Sequence, residues 1–261
     1  MRYKLYFKIN KPMVLNLNYH LELQRFIYLM ISNEDKEYAN WLHDQGFGET
    51  KRYKLFCFSK LYCLKREIKD KKFIMDESFS FQISCVDDKL DEILLSSFNS
   101  KREYIFNNQK VTLDHYEVDI FKGGNKLKIK MLSPVVVKDG YIENSKRKTH
   151  YYNPLDKIFE EKINSNFKNK YYAYYHEIPE DIEFKTLSIK NKDKYITKYN
   201  DIYINGWHGL YELSGKQEYL KFLYYVGIGE RNSQGFGMFE ILEGWYWWVN
   251  ILQPKKCWIL F

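Results

Sequence analysis

Residues 2–9 of the chain read RYKLYFKI, and this stretch sets the fold of the first half. Its apolar side chains occupy alternate positions, at Tyr3, Leu5, Phe7 and Ile9. Such an alternation is the period of a β-strand that buries one face. The sequence therefore predicts that the first element is a half-buried strand.

The elements after this strand alternate between helical and extended patterns. Leu23, Phe26, Ile27 and Met30 recur at the spacing of one helix face, so residues 19–31 are predicted to form an amphipathic helix. We expect a short helical or irregular connection over 38–47, strand pairing over 53–64, a strand over 78–86, a helix over 89–98 and extended structure over 104–121. The predicted order of the first half is βαββαβ.

The same order returns after Gly123-Gly124, a turn signal between two alternating segments. The second half is predicted to contain strands over 126–137, 185–189, 195–213 and 238–242, and helices over 155–167 and 216–226. Two copies of βαββαβ indicate an α+β fold of two tandem ferredoxin-like domains, the arrangement found in RNA-recognition modules. We expect the domains at 1–122 and 123–244, followed by an aromatic C-terminal extension at 245–261.

Composition excludes several classes of protein. Apolar residues make up 45% of the 261 residues, which is too many for a mostly disordered chain. No window reaches about 18 apolar residues without charge, and the start has no signal-peptide run, so we expect a cytoplasmic protein without membrane contacts. The four cysteines form no CxxC pair and have no histidine at ligand spacing. We therefore expect buried thiols, no metal site and no cofactor.

The chain carries an excess of positive charge, with 41 Lys and Arg against 34 Asp and Glu. Basic surfaces usually bind anionic partners, and an aromatic content of 18% suits base stacking as well as a packed core. Lys126, Lys128 and Lys130 fall on one strand face, where a bound polyanion would relieve their repulsion. Residues 146–148 (Lys-Arg-Lys) are expected in an exposed loop that could clamp an RNA stem. A solvated lysine surface over an aromatic core is the alternative.

Residues 227–237 read GIGERNSQGFG. Glycines at this spacing give a loop whose backbone amides can approach a phosphate closely, and Arg231 adds a positive charge. A dinucleotide-binding fingerprint is excluded, because it needs a strand before the glycines and a helix after them, the reverse of the predicted order. The alternative is that the glycines only turn the chain from helix to strand.

Extended to residue 240, this loop reads GIGERNSQGFGMFE and resembles the C-terminal glycine-rich signature of the CRISPR-associated endoribonucleases that cut repeat RNA into guide RNAs. The first 65 residues resemble that family through Asn18-Tyr19, Ile27-Tyr28, WLHD at 41–44 and KLFCFS at 54–59. The middle of the chain, 69–211, matches only in element order. The resemblance implies two ferredoxin-like domains and metal-free cleavage, in which the ribose 2′-hydroxyl attacks the adjacent phosphate. The products would carry a 2′,3′-cyclic phosphate and a 5′-hydroxyl.

By this resemblance, the catalytic residues are Tyr28, His43 and Lys54. Cleavage of RNA needs a base, an acid and a positive charge, and histidine titrates nearest to neutral pH. The sequence alone does not choose among the six histidines, and His20, at the start of the helix that carries Tyr28, is the second candidate. Tyr28 as a core residue and His43 as an exposed helix-end residue are the alternatives.

The residues expected to bind RNA lie in the glycine-rich loop and in two basic stretches. They are Lys51, Arg52, Lys126, Lys128, Lys130, Gly227, Gly229, Arg231, Asn232, Ser233, Gly235 and Gly237. Either Lys51 or Arg52 could supply the positive charge in place of Lys54. The expected partners are CRISPR repeat RNA and other subunits of a CRISPR effector complex, with the chain itself a monomer or a homodimer. A non-catalytic RNA-binding subunit and a structural backbone subunit are the alternative functions.

Overall fold

The structure is a computed structural model that describes residues 1–100 and 102–242. The predicted aromatic extension at 245–261 and the end of the second predicted domain lie outside the described residues. The helices of the described residues are α1 (His20–Glu34), α2 (Lys36–Asp44), α3 (Asp88–Ser100), α4 (Lys157–Tyr175) and α5 (Gln217–Val226). Their strands are β1 (Arg2–Ile9), β2 (Met13–Asn16), β3 (Phe56–Phe58), β4 (Lys65–Lys69), β5 (Lys72–Asp76), β6 (Ser78–Cys85), β7 (Glu103–Phe106), β8 (Gln109–Asp119), β9 (Lys126–Met131), β10 (Lys138–Glu143), β11 (Lys146–Tyr151), β12 (Glu183–Ser188), β13 (Lys194–Tyr199), β14 (Ile202–Trp207), β15 (Leu210–Ser214) and β16 (Phe239–Ile241).

The first half folds around a five-stranded sheet in the order β3-β6-β1-β8-β7. The predicted first strand is confirmed: β1 pairs antiparallel with β6 and β8 and places Leu5 opposite Phe81. Helices α1 and α3 cover one face of the sheet, where Phe7 meets Phe26 edge-on at 5.4 Å and stacks on Phe79 at 5.0 Å. Strands β3, β6, β1 and β8 are the second, third, first and fourth strands of a βαββαβ unit. This is the ferredoxin-like order.

The second half repeats this architecture with a four-stranded sheet in the order β12-β15-β9-β16. Strand β9 pairs antiparallel with β15 and β16, and α4 and α5 pack on the face that carries Leu127, Ile129 and Tyr211. The prediction of two tandem ferredoxin-like domains is therefore confirmed. The boundary expected at residues 122 and 123 falls in the link between β8 and β9 and stays a prediction.

The strand pairing expected over 53–64 is wrong for most of its length. Only β3 pairs there as a strand, and a single bridge between Tyr62 and Ser80 follows it. The Ser59 hydroxyl accepts a hydrogen bond from the backbone N–H of Gln82 at 2.9 Å. In a continuing strand ladder, a backbone carbonyl would accept this bond. A side chain that replaces the backbone acceptor in this way ends the strand.

The loop expected at residues 146–148 is also wrong, because these residues belong to β11. Strand β11 pairs with β10 in an exposed hairpin that turns at Asn144 and Ser145, both with positive φ. A second hairpin, β4 with β5, occupies the basic stretch that follows residue 64. Most side chains of β4, β10 and β11 are exposed, so these strands lack the apolar face on which a sequence prediction depends.

The expectation of buried thiols holds for two of the three cysteines among the described residues. Cys57 and Cys85 are buried and free, whereas Cys63 is free and partly exposed. Cys257 lies outside the described residues. No helix of residues 1–100 and 102–242 is both long and apolar enough to cross a membrane.

A buried arginine on the first strand joins the two domains. Arg2 is 1% exposed, and its guanidinium donates to the backbone oxygens of Phe239 at 2.8 Å and Tyr224 at 2.5 Å. The same group lies 3.5 Å from the centre of the Tyr224 ring, which is a cation–π contact. These contacts hold β1 of the first domain against α5 and β16 of the second.

Replacement of this arginine tests the junction. Arg2→Met keeps much of the side-chain length and removes the donors, so we expect the free energy of unfolding to fall by about 2–4 kcal/mol as two buried carbonyls lose their partners. Urea denaturation measures the change. Lys8→Met is the control on the same strand, since it removes only an exposed ion pair with Asp114. Equal losses in the two variants would argue that Arg2 does not join the domains.

Candidate functional site

Tyr28, His43 and Lys54, predicted from separate parts of the sequence, lie together in the structure. Tyr28 comes from α1 and His43 from the last turn of α2, and their rings meet edge-on with centroids 5.5 Å apart. The Lys54 ammonium donates to the backbone oxygen of His43 at 2.6 Å. The three side chains thus form one cluster on the first domain.

The chain reaches this arrangement by folding back after α2. Gly46, at φ +65°, makes the turn, and a Cβ there would lie 2.4 Å from the Tyr53 oxygen. Phe47 and Tyr53 then exchange two backbone hydrogen bonds, of 2.8 and 2.7 Å. As a result, Lys54 returns to the carboxyl end of α2. A cation is favoured at this end, because the helix carbonyls there have no partner within the helix.

The three side chains offer different chemical groups to a ligand. The His43 side chain is 70% exposed, and its Nδ1 lies 2.8 Å from Oδ1 of Asp44, which leaves Nε2 to act on a substrate. Burial raises the pKa of the Tyr28 hydroxyl, so this group stays protonated and can donate a hydrogen bond. Burial lowers the pKa of the Lys54 ammonium. The cluster therefore offers an imidazole, a hydroxyl donor and a cation.

In the glycine-rich loop, residues 227–237, three of the glycine amides are already engaged in backbone hydrogen bonds. The amides of Gly227, Gly235 and Gly237 donate to the oxygens of Leu223, Asn232 and Pro134, at 2.8, 3.0 and 2.8 Å. These three amides are therefore not free to bind a phosphate. The glycines shape the loop, and any contact that they make with RNA stays a prediction.

A buried lysine donates hydrogen bonds to the oxygens of this loop. It was not predicted from the sequence. Lys170 of α4 is 2% exposed and donates to the oxygens of Gly227 at 2.6 Å and Gly229 at 3.3 Å, and to Oδ1 of Asn232 at 3.1 Å. Burial lowers its pKa to about 7. Lys170 lies seven residues after Ile163, which is in the core. The same helical period therefore predicts a buried position for residue 170.

A cavity of about 240 Å³ lies between the segment that folds back after α2 (the fold-back, residues 51–56), helix α4 and the glycine-rich loop. Its walls come from residues 51–56 of the first domain, two side chains of α4, and residues 229–234 of the loop. The predicted site residues that line it are Lys51, Arg52, Lys54, Gly229, Arg231, Asn232 and Ser233. Of the clustered residues Tyr28, His43 and Lys54, Lys54 lines the cavity, which therefore lies between Lys54 and the loop.

Two models of known protein families together match nearly the whole chain. Residues 14–115 match the family described as CRISPR-associated protein Cas6, N-terminal, and residues 116–241 match CRISPR associated protein Cas6, C-terminal. The chain belongs to the Cas6 family. The resemblance seen in the glycine-rich loop and in the first 65 residues is thereby confirmed.

The chain is also similar to individual Cas6 proteins. CRISPR-associated endoribonuclease Cas6 1 of Methanocaldococcus jannaschii is 28% identical over 245 residues, which are 93% of each chain. The solved structure of a Cas6-related protein from Pyrococcus furiosus gives a TM-score of 0.80 at 22% identity, and the match covers 93% of this chain and 98% of that one. A structure described as an RAMP protein binding different RNA substrates gives 0.78 at 22% identity, covering 93% and 100%. The fold of these structures is shared over both domains.

Three predicted RNA-binding lysines of this Cas6 chain do not line the cavity. Lys126, Lys128 and Lys130 lie on β9, on the face opposite its core side chains. Lys126 pairs with Glu212 at 2.9 Å, and Lys130 pairs with Glu240 at 3.0 Å. Neighbouring glutamates thus offset the charge repulsion that we expected a polyanion to relieve. RNA binding by these lysines stays a prediction.

His20, the second candidate for proton transfer, supports the loop. Its Nδ1 lies 3.1 Å from the Gln234 oxygen and its Nε2 lies 3.2 Å from the Tyr195 hydroxyl. The ring is 1% exposed and stacks on Phe236 at 4.9 Å. Burial lowers the pKa of His20 to about 4, and the nearby Lys60 ammonium acts in the same direction. Both nitrogens are engaged inside the protein, which favours His43 for contact with a substrate.

This environment predicts a pH dependence of folding. His20 stays neutral in the folded protein down to about pH 4, while its unfolded form takes up a proton below its ordinary pKa of 6.5. Stability should therefore fall as the pH drops through this window. In His20→Gln, the slope of unfolding free energy against pH should be smaller by up to about 1.4 kcal/mol per pH unit. Urea denaturation at several pH values measures this slope, and an unchanged slope in His20→Gln would contradict the prediction.

Proposed function

We propose that this Cas6 protein is an endoribonuclease that cleaves CRISPR repeat RNA without a metal ion. The observation that carries the proposal is the convergence of Tyr28, His43 and Lys54 beside a basic cavity. The relative from Methanocaldococcus jannaschii is named an endoribonuclease, and a structural neighbour is described as binding RNA. Two features support the proposal: a basic cavity suits phosphates, and the cluster contains groups that can transfer protons.

The proposed reaction uses the three groups in different roles. His43 Nε2 takes the proton of the ribose 2′-hydroxyl, whose oxygen then attacks the adjacent phosphorus. The Lys54 ammonium neutralises the charge that develops on the phosphate and provides the proton for the departing 5′-oxygen, since burial lowers its pKa. The Tyr28 hydroxyl donates a hydrogen bond to a phosphate oxygen. The bond from phosphorus to the 5′-oxygen breaks, giving a 2′,3′-cyclic phosphate and a 5′-hydroxyl.

The test is cleavage of the protein's own CRISPR repeat RNA in EDTA. We expect cutting at one position, products with 2′,3′-cyclic phosphate and 5′-hydroxyl ends, and no cutting when the nucleotide before that position lacks its 2′-hydroxyl. Mass spectrometry of the fragments identifies the ends. A requirement for added magnesium would refute the mechanism. RNA binding without any cleavage would favour the alternative of a non-catalytic subunit.

Removal of the imidazole should slow the reaction and spare binding. We expect His43→Ala to lower the single-turnover rate at saturating RNA by about 10²–10⁴-fold, the usual loss for a general acid or base. The affinity for RNA should stay near that of the wild type. His115→Ala, a second exposed histidine of the first domain, is the control and should cleave normally. Normal cleavage by His43→Ala would assign proton transfer to another group.

Removal of the Lys54 cation should affect the rate more than the affinity. We expect Lys54→Ala to reduce the rate at saturating RNA by about 10²-fold or more, as for one lost electrostatic donor. Lys51→Ala is the matched control, because Lys51 lines the same cavity and makes no contact with His43 among the described residues. That variant should mainly weaken binding. If the two variants behave alike, Lys54 is an RNA-backbone contact and not part of the reaction.

A further inference from the structure

The cavity beside Lys54 is basic, but one of its walls carries a carboxylate. Five of the described residues that line the cavity are cationic, namely Lys51, Arg52, Lys54, Lys170 and Arg231. Glu230, in the glycine-rich loop, is the one acidic residue in this described lining. A carboxylate repels a phosphate, so Glu230 affects where the backbone of an RNA can lie in the cavity.

The backbone around Glu230 fixes the place of this carboxylate. The Glu230 amide donates to the Val136 oxygen at 2.8 Å. Gly229, at φ +66°, lets the loop come so close that a Cβ there would lie 2.5 Å from the same oxygen. Val136 lies two residues before Lys138, the first residue of β10. The Glu230 side chain is 21% exposed, so its charge is accessible to a ligand in the cavity.

Each oxygen of the Glu230 carboxylate faces a different lysine. Oε1 lies 3.8 Å from the Lys51 ammonium on the fold-back of the first domain, and Oε2 lies 3.4 Å from the Lys138 ammonium on β10 of the second. Both distances exceed roughly 3.2 Å, the upper end of a typical hydrogen bond from nitrogen to oxygen. Such ion pairs are weak. They therefore reduce the attraction of the two lysines for a phosphate without abolishing it.

Two other cations of the cavity have neutral partners. Arg52 donates to the backbone oxygen of Asp44 at 3.0 Å, and Lys54 donates to that of His43 at 2.6 Å. Neither cation has a carboxylate oxygen within 4.0 Å among the described residues, since the Asp44 carboxylate pairs with His43. Lys170 is enclosed by the loop oxygens. The cavity therefore attracts a phosphate most strongly at Arg52 and Lys54, the end that adjoins His43.

We propose that Glu230 is a specificity-determining residue that directs the RNA backbone to Arg52 and Lys54. The inference rests on the proposed function and concerns the placement of its substrate. Because Glu230 offsets the charge of Lys51 and Lys138, the phosphate that is cleaved binds best at Lys54, beside His43. The same carboxylate weakens the binding of an RNA that offers only phosphates, which is a selection against wrong partners.

Binding to two RNAs tests this role. Glu230→Gln keeps the shape of the side chain and removes its charge. Fluorescence anisotropy compares oligo(U) with a repeat RNA of equal length, made uncleavable by a 2′-deoxy nucleotide at the cut site. We expect the variant to bind oligo(U) about 3–30-fold more tightly than the wild type does, because two weak ion pairs no longer compete with phosphate. The repeat RNA should gain less, so the ratio of the two affinities should fall.

The salt dependence of oligo(U) binding gives a second readout. In the wild type, Lys51 and Lys138 share their charge with Glu230. In Glu230→Gln both lysines can neutralise phosphates, so the slope of log K against log[salt] should steepen by up to about 1.4. Glu183→Gln is the control, because it removes one carboxylate and frees Lys185 from an exposed ion pair outside the cavity. This control should keep the wild-type affinities and slope.

The cleavage rate separates placement from folding. At saturating repeat RNA, Glu230→Gln should cut about 3–10-fold more slowly in a single turnover, because part of the bound RNA lies with its phosphates at Lys51 and Lys138. Tighter binding with slower cutting is not the result of a damaged fold, which would weaken both. Glu230→Gln/Lys51→Ala has the wild-type net charge and lacks one freed lysine, so affinity and rate should both return toward the wild type. Glu230→Asp, which keeps the charge, should stay nearer to the wild type than Glu230→Gln.

The possible outcomes are distinguishable. If the wild type cleaves the repeat and Glu230→Gln binds oligo(U) no more tightly, the role of Glu230 is wrong and the endoribonuclease proposal stands. An equal gain for both RNAs would also refute this role, since it would reflect net charge alone. If the wild type binds RNA without cleaving it, the proposed activity is wrong, and the ratio of affinities and the salt slope still decide the role of Glu230. Absence of RNA binding overturns both proposals.

Discussion

The buried ammonium of Lys170 is the constraint on which the site depends. Three oxygen atoms of the glycine-rich loop converge on its three protons, and no carboxylate contributes to the set. Without this cation, two loop carbonyls and the Asn232 oxygen would face one another with no donor between them. The loop in turn contacts α1, where Gln24 donates to the Ser233 oxygen at 2.7 Å. Since α1 also carries Tyr28, the helix of this proposed catalytic residue and the loop are positioned together.

The opposite wall of the site is held by a fold-back that carries backbone strain. Leu55, directly after Lys54, has a φ of +51°, a conformation that is costly for a leucine. Its side chain is nevertheless buried in the core of the second domain, while the adjacent Phe56 enters the core of the first. The chain thus crosses from one core to the other at the residue that follows Lys54. Packing against both domains offsets the strain and holds the ammonium at the end of α2.

Much of the fold could be predicted because its core strands alternate cleanly. The pattern of residues 2–9 and its repetition after Gly123-Gly124 were enough for two βαββαβ units. The same pattern put Arg2 on the polar face of β1, yet Arg2 is buried, because the second domain covers that end of the strand. Tyr28, His43 and Lys54 came from family resemblance, since no local spacing links them. Lys170 was missed because a polar residue on a helix is usually solvated, and the loop oxygens to which it donates lie far along the chain.

The charges of the site are suited to a substrate that arrives as a polyanion. Burial lowers the pKa of both Lys54 and Lys170, so each holds its proton less tightly than a solvated lysine. A phosphate placed along the cavity favours the protonated form of both groups, because an opposite charge nearby stabilises the ammonium. The Lys170 ammonium supplies the donors that the loop oxygens need, and the Lys54 ammonium places a cation beside His43. Two ammonium groups whose pKa is lowered by burial therefore border one cavity, where an anionic substrate would favour their charged forms.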